Sequence, residues 1–375
     1  MGFELNKSYS GFRLTKKKEI DELKSLGLFF EHDVTKAQLM VLENDDDNKV
    51  FSATFRTPPE DDTGIAHILE HSVLCGSKNF PVKEPFVELM KGSLQTFLNA
   101  MTFPDKTMYP VASRNRKDFF NLMHVYLDAV FYPNISEETF KQEGWHYELN
   151  SPKDKIVYKG VVLNEMKGEF SNPESNIDRQ LAHSLFPSTA YGFESGGDPK
   201  KIPELTYQKF KEFHRKHYHP SNSRLFFYGD GDTQSYLDFL QEKYLQDFGS
   251  IDIKTSIAYQ RSFRKPKRKP MSYPVSSDES LDKKTYVLLG YKLDKAVNHE
   301  HCLGFSILSH LLLGSSASPL RKALITSELG SEVIGGGFDD NRADTIFAVG
   351  LKGTEPEHEN KILTLIDSTL CELAD

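Results

Sequence analysis

Thr63-Gly64-Ile65-Ala66-His67-Ile68-Leu69-Glu70-His71-Ser72-Val73-Leu74-Cys75-Gly76-Ser77 is the most informative stretch of this 375-residue chain. It follows Thr57-Pro58-Pro59-Glu60-Asp61-Asp62, where two prolines stop an extended run and Asp62 or Thr63 offers an N-cap. A helix is therefore predicted from near Ile65 to about Cys75, closed by Gly76. At about 100° per residue, Glu70 lies about 60° to one side of His67 and His71 about 40° to the other, so all three project from one face. Ile65, Ile68 and Leu69 fall away from that face and can pack the helix from behind. His67-x-x-Glu70-His71 inverts the HExxH zinc pattern. Two neutral imidazoles four residues apart can both reach one Zn2+ at ~2.0–2.1 Å, and the carboxylate between them is set beside the ion rather than on it. The implied chemistry is hydrolysis of a peptide bond. Zn2+ is the cofactor, and Glu70 is the general base that takes a proton from water and passes it to the leaving amine.

A catalytic zinc site needs a third protein ligand from another element. The first candidate is Glu165 in Gly160-Val161-Val162-Leu163-Asn164-Glu165-Met166-Lys167-Gly168-Glu169, where Val161, Val162 and Met166 suggest a partly buried helix and an acid held near the core. Glu169, one turn later on the same face, competes for that role or orients the site from outside the ligand set. His214, His217 and His219 form the other histidine cluster, but no carboxylate is spaced to activate water beside them, so they are read as structural or surface residues.

Working outward, Ala37–Glu43 and Lys49–Thr57 are two β-prone runs separated by Asn44-Asp45-Asp46-Asp47-Asn48, which predicts a hairpin. Helical patterns cover Pro85–Lys91, Arg116–Phe131, Glu137–Leu149, Gly160–Phe170 (resuming near Glu174) and Thr206–His217, with β-like pieces at Thr96–Met101, Thr107–Ala112 and Ser223–Tyr228. Arg264-Lys265-Pro266-Lys267-Arg268-Lys269-Pro270 cannot sit inside a helix or a central strand and is read as a connector. The expected organisation is a zinc-binding domain over 1–260, a basic linker over 261–275, and a second domain over 276–375. In that second part a strand at Thr285–Leu293 and a helix at His299–Leu313 repeat the earlier order at an offset of 238, which aligns Leu312, Gly314 and Ser315 with Leu74, Gly76 and Ser77. At the same offset Phe305, Leu308 and Ser309 stand where His67, Glu70 and His71 do, so the second copy is expected to bind no metal. Glu355–Asp375 reads as an amphipathic helix.

Composition bounds the rest. Lys+Arg 46 against Asp+Glu 54 gives a net charge of −8, so no global positive field draws nucleic acid or an anionic membrane. No apolar run approaches the ~18 residues of a membrane span. Cys75, Cys302 and Cys371 are too few and too scattered for a disulfide framework or a structural zinc site. The N-terminal stretch lacks an apolar secretory core, and a cytoplasmic protein is the expectation.

Thr57-Pro58-Pro59, the Thr63–Ser77 stretch, Leu98-Asn99-Ala100-Met101-Thr102, Phe140–Tyr147, Gly160–Gly168 and His217–Asn222, in that order, resemble the pitrilysin/insulinase family of zinc metallopeptidases, and most closely its presequence protease and falcilysin branch. The resemblance implies an α+β fold with a mostly antiparallel sheet and helices packed on one side, duplicated along the chain. It implies zinc on His67, His71 and Glu165 with Glu70 as the base, and a substrate-binding edge at Asn99 and Ala100 that takes an extended peptide by strand addition. Unfolded peptides are the expected substrates. Members of this branch are more than twice as long, so the chain resembles an N-terminal portion with an incomplete second domain. Its expected partner is the missing C-terminal half of the same polypeptide, and alone it should hydrolyse peptides poorly or not at all. The alternative is a non-catalytic scaffold or peptide-binding subunit of the same family.

Overall fold

The computed structural model describes residues 2–83, 85–149 and 151–374. Its strands are β1 (Ser8–Tyr9), β2 (Phe12–Ile20), β3 (Ser25–His32), β4 (Gln38–Glu43), β5 (Lys49–Arg56), β6 (Gln95–Leu98), β7 (Met101–Thr102), β8 (Lys106–Ser113), β9 (His146–Glu148), β10 (Val157–Lys159), β11 (Ser223–Gly229), β12 (Thr285–Lys295), β13 (Glu332–Asp339) and β14 (Asp344–Thr354). Its helices are α1 (Ile65–Val73), α2 (Pro85–Gly92), α3 (Arg116–Phe131), α4 (Glu137–Glu143), α5 (Val161–Glu169), α6 (Pro173–Leu185), α7 (Tyr207–His217), α8 (Thr233–Lys243), α9 (His299–Leu313), α10 (Pro319–Thr326) and α11 (Glu359–Ala374). Asp375, the last residue of the helix expected at the end of the chain, lies outside the described residues.

The chain divides into two compact units, one holding the chain up to Met166 with Glu194–Ser256, the other Lys167–Phe193 with the chain from Ile257 onward. In the first unit a nine-stranded sheet runs β1-β2-β3-β4-β11-β5-β8-β6, with β7 also on β8. Every pairing is antiparallel except β4 with β11. Alternation explains the core: Leu225 and Phe227 of β11, Leu39 and Val41 of β4, and Phe51, Ala53 and Phe55 of β5 are all buried. Phe119, Leu122, Met123, Tyr126 and Val130 of α3 are fully buried as well, and α3 packs on β5 and β8. Mean burial of this kind contributes roughly 1.5–3 kcal/mol for each large apolar side chain.

The hairpin expected from Ala37–Thr57 does not form. β11 lies between β4 and β5, parallel to the first and antiparallel to the second. The Asn44–Asn48 connection instead crosses the end of β11: Asn44 N donates to Gly229 O (3.3 Å), Asp230 N donates to Asp46 O (2.9 Å), and Lys49 Nζ meets Asp230 Oδ1 at 2.7 Å. The turn residues do reverse the chain there, but the strand they cross arrives from far along the sequence. Likewise the helix expected over Glu137–Leu149 stops at Glu143, because Gly144 ends it and the chain turns into β9, which pairs with β10.

In the second unit a three-stranded antiparallel sheet, β12-β14-β13, is packed by Val287, Leu312, Leu320, Leu324, Val349, Leu351, Ile362 and Ile366. Residues 167–193, within the 1–260 span of the expected first domain, belong to this unit. Leu181 of α6 covers Gly290, Lys352 Nζ pairs with Glu174 (2.8 Å), and Ala343 N donates to the Tyr191 hydroxyl (2.9 Å). Residues 261–275 carry no helix or strand, yet Arg268 forms a two-pronged pair with Glu359 at 2.5 and 2.7 Å. The duplication is visible in the topology. Adding 238 to β5, β8 and β6 lands within β12, β14 and β13, and the sheet order β5-β8-β6 reappears as β12-β14-β13. The fold is thus α+β, mainly antiparallel and repeated, and among the described residues no strand pairs with β12 in the way that β11 pairs with β5.

Candidate metal centre

Helix α1 begins at Gly64 rather than on a side-chain cap at Asp62 or Thr63. Thr63 instead donates its backbone N–H (2.9 Å) and its hydroxyl (2.6 Å) to Asp61, while Asp62 accepts from Glu194 N (2.8 Å) and Asp198 N (2.8 Å). Both acids therefore stitch loops rather than cap the helix. Gly64 has φ 67°, and a Cβ there would lie 2.6 Å from Gly196 O and 2.8 Å from Gly197 Cα, so only glycine lets the two loops touch. Ile65, Ile68 and Leu69 are buried behind the helix, as its phase requires.

The opposite face carries the ligand set. His67 Nε2 and His71 Nε2 each lie 3.7 Å from Glu165 Oε2. Among the described residues this is the one group of three or more histidine, cysteine or acidic side chains whose ligand atoms converge, all within 4.8 Å of one another. A tetrahedral ion with bonds of roughly 2.0–2.2 Å keeps its ligand atoms roughly 3.3–3.6 Å apart, so the triangle fits a divalent metal with small adjustment. The tautomers suit it too. His67 Nδ1 lies 3.1 Å from Gly196 O, which can only accept, so Nδ1 carries the proton and Nε2 offers its lone pair. His71 Nδ1 faces Glu143 Oε2 at 3.3 Å. Burial pulls the His71 pKa down, but the bond to Glu143 and the charges of Glu70, Glu143 and Glu165 outweigh it and leave it raised.

Glu165 is exposed, with 49% of its side chain accessible, contrary to the expectation of an acid near the core. Val162, Leu163 and Met166 form the buried side of α5, and the carboxylate emerges beyond them. Gly160 sets this approach: a Cβ there would meet Gly144 O at 2.0 Å, so the start of α5 is pressed against the end of α4. Glu169 does not join the ligand atoms. Its helix ends there, and its carboxylate accepts from Ser175 Oγ at 3.4 Å in the first turn of α6.

Glu70 is buried and sits outside the ligand triangle, where Thr102 Oγ1 donates to its Oε2 at 2.6 Å. Its charge is felt by the surrounding phenols: Tyr126 is pushed far up by burial first and by Glu70 second. Asn99 and Ala100 fall at a break between the edge strand β6 and β7, rather than inside one strand. Asn99 N donates to Pro110 O (3.2 Å), Asn99 O accepts from the buried Tyr126 hydroxyl (3.2 Å), and Ala100 N donates to Asn99 Oδ1 (2.9 Å). The second histidine cluster is structural. His214 Nε2 donates to Val130 O (2.9 Å) and His217 Nδ1 to Phe213 O (3.1 Å), and burial drives both pKa values down to about 4. His219 accepts from Ser221 N at 3.1 Å. In the second unit Ser309 Oγ accepts from Phe338 N (3.0 Å) where the first copy has a histidine.

Glu143, Gly196 O and Thr102 were not singled out from sequence. The first is one of many acids, the second is backbone, and the third lies outside any metal pattern.

Gly64→Ala is expected to force φ out of the left-handed region or push Gly196 away, at a cost of about 2–3 kcal/mol. For a unit of this size that lowers Tm by on the order of 5–10 °C in scanning calorimetry, and a shift below about 1 °C would show the loop contact to be dispensable.

A histidine pair on α1 and an acid on α5, gathered at ion distance with a buried carboxylate alongside, form a group that could hold a metal ion, in the order of an inverted HxxEH motif. Two family models match the chain: "Insulinase (Peptidase family M16)" over residues 55–169 and "Peptidase M16 inactive domain" over residues 204–375. The chain belongs to the M16 peptidase family. It is 49% identical to protein HypA of Clostridium perfringens (100% of this chain, 39% of that protein). It is 50% identical to presequence protease 1, chloroplastic/mitochondrial, of Arabidopsis thaliana (97% and 34%), and 40% identical to presequence protease, mitochondrial, of Xenopus laevis (98% and 36%). The chain spans little more than a third of the length of these relatives. In fold it is similar to pitrilysin (TM-score 0.66, 16% identity, 97% of this chain and 38% of that one). It is also similar to a peptidase M16 inactive domain from Pseudomonas fluorescens (TM-score 0.69, 16% identity, 92% and 78%). Among the described residues no helix is long and apolar enough to cross a membrane.

Proposed function

We propose that the chain is the metal-bearing part of a zinc-dependent endopeptidase acting on unstructured peptides. The observation that carries this reading is the meeting of His67 Nε2, His71 Nε2 and Glu165 Oε2 beside the buried Glu70 carboxylate. Zinc held by those three residues supplies Lewis acidity and lowers the pKa of water to roughly 7. Glu70 accepts the proton of the attacking water and delivers it to the leaving amine. Thr102 holds Oε2 of Glu70, which leaves Oε1 to receive that proton. An extended substrate would run along the sheet edge where Asn99 and Ala100 follow β6, a mode that reads main chain and tolerates many sequences.

The partner belongs to the same proposal: a further half of the polypeptide closes over the site, and this chain alone turns peptides over slowly or not at all. Helix α9 supports it, since Leu303, Ile307 and Leu311 are exposed whereas Ile65, Ile68 and Leu69 of its counterpart α1 are covered.

The test is elemental analysis with peptide digestion. After equilibration with zinc the chain should retain about one ion, and single-turnover cleavage of an unstructured peptide, with protein in excess, should vanish on chelation and return with zinc. Absence of bound zinc would favour the non-catalytic scaffold, and cleavage indifferent to chelation would sink the metallopeptidase.

A further inference from the structure

We infer that Glu143 is a positioning residue for the metal centre, holding the His71 ring so that its Nε2 faces the ion position. This deepens the zinc reading above and rests on it. Glu143 is the last residue of α4, which packs on α1, and its side chain is only 8% exposed, so a charged group has been placed where burial disfavours it. Such a group needs partners. Cys75 Sγ donates to its Oε1 at 3.7 Å. Its Oε2 lies 3.3 Å from His71 Nδ1, just beyond the usual N–H···O range. Gln142 Nε2 donates to its other oxygen at 2.9 Å. An acceptor-only group in that place fixes the proton on Nδ1 and keeps Nε2 as the free donor atom.

The two imidazoles are thus held differently. His67 is steered by a neutral backbone carbonyl and His71 by an anion, and the anion strengthens the donor power of the ring it touches. Glu169, the outer orienter expected from sequence, touches neither ring: its carboxylate is engaged with Ser175. Glu143 occupies that role from a different helix, and the contact between Gly160 and Gly144 keeps its helix end against the one that carries Glu165.

The experiment is zinc affinity of the whole chain by competition with a chromophoric chelator, supported by the visible spectrum of the Co2+-substituted protein. Glu143→Ala should weaken zinc binding about 10–100-fold, the range found when an outer partner of a ligating histidine is removed. Glu143→Gln, whose amide oxygen can still accept from Nδ1, should lose less and shift the Co2+ bands slightly. Scanning calorimetry of the metal-free proteins separates this from a purely structural role, which would lower the metal-free Tm and leave affinity unchanged. Affinities of both variants within about twofold of wild type would overturn the inference. Should Glu143→Ala fail to fold, Glu143→Gln decides: an unaltered affinity together with an unaltered Co2+ spectrum overturns it. A wild-type chain that binds no zinc is a different failure, of the metal site itself.

Discussion

Glu70→Gln is expected to retain a full complement of zinc while its single-turnover cleavage of an unstructured peptide falls by about 10²–10⁴-fold. The substitution keeps the volume of the side chain, and its amide oxygen can still accept from Thr102 Oγ1, so the group stays where the carboxylate is now. Glu70 is also outside the converging ligand atoms, so the metal loses no bond. What is lost is the capacity to hold a proton in transit: an amide has no basicity at neutral pH, and neither attack by water nor departure of the amine is assisted. Burying a neutral amide in place of a charge costs no stability of its own accord, since Glu70 sits among buried Tyr109, Tyr126 and Tyr218. Elemental analysis and calorimetry should therefore match wild type while the cleavage rate collapses. Unchanged turnover would assign the base elsewhere, and loss of zinc would make Glu70 a ligand.

Helix α1 could be read from sequence because local rules act together there. The prolines stop the preceding strand, the apolar positions recur at helical spacing, and His67, Glu70 and His71 share one face; the structure adds that Gly64, not Asp62 or Thr63, begins the helix. Glu165 was reachable by the same periodicity, but its exposure was not, because Val162, Leu163 and Met166 report that α5 has a buried side without reporting how far round it extends. Glu143 and Gly196 O were out of reach. One belongs to a helix whose end was placed several residues too late, the other to a loop whose approach depends on Gly64 and Gly197 having no side chains. The insertion of β11 between β4 and β5 is non-local in the same sense: a strand at residues 223–229 pairs with strands near residues 38–56, and no turn residue can announce that. The repeat shows in sequence only as a shared order of strand, helix and glycine; the topology carries it more fully, with β5-β8-β6 reappearing as β12-β14-β13 while Phe305 and Ser309 stand where His67 and His71 do.

Glu165→Ala and Glu169→Ala, compared side by side, are expected to separate cleanly. The two acids are one turn apart on α5, Glu165 the first candidate from sequence and Glu169 its competitor, and the structure sends the first toward His67 and His71 and the second toward Ser175. If zinc binding is worth roughly 10–16 kcal/mol over about four coordination positions, one ligand accounts for roughly 2.5–4 kcal/mol, so Glu165→Ala should weaken affinity by on the order of 10²–10³-fold. Glu169→Ala should leave it within about twofold, because no ligand and no ring contact is removed. Stability of the metal-free chain is a sound control for Glu165→Ala: the carboxylate is half exposed, so its contacts with His67 and His71 contribute little to stability in the absence of metal. Chelator competition gives both affinities in one assay. If Glu169→Ala lost zinc and Glu165→Ala kept it, α5 would have to slide by about 6 Å along its axis to present the later acid, and the buried positions Val162, Leu163 and Met166 would then be displaced from the core, which is the reason the first outcome is expected.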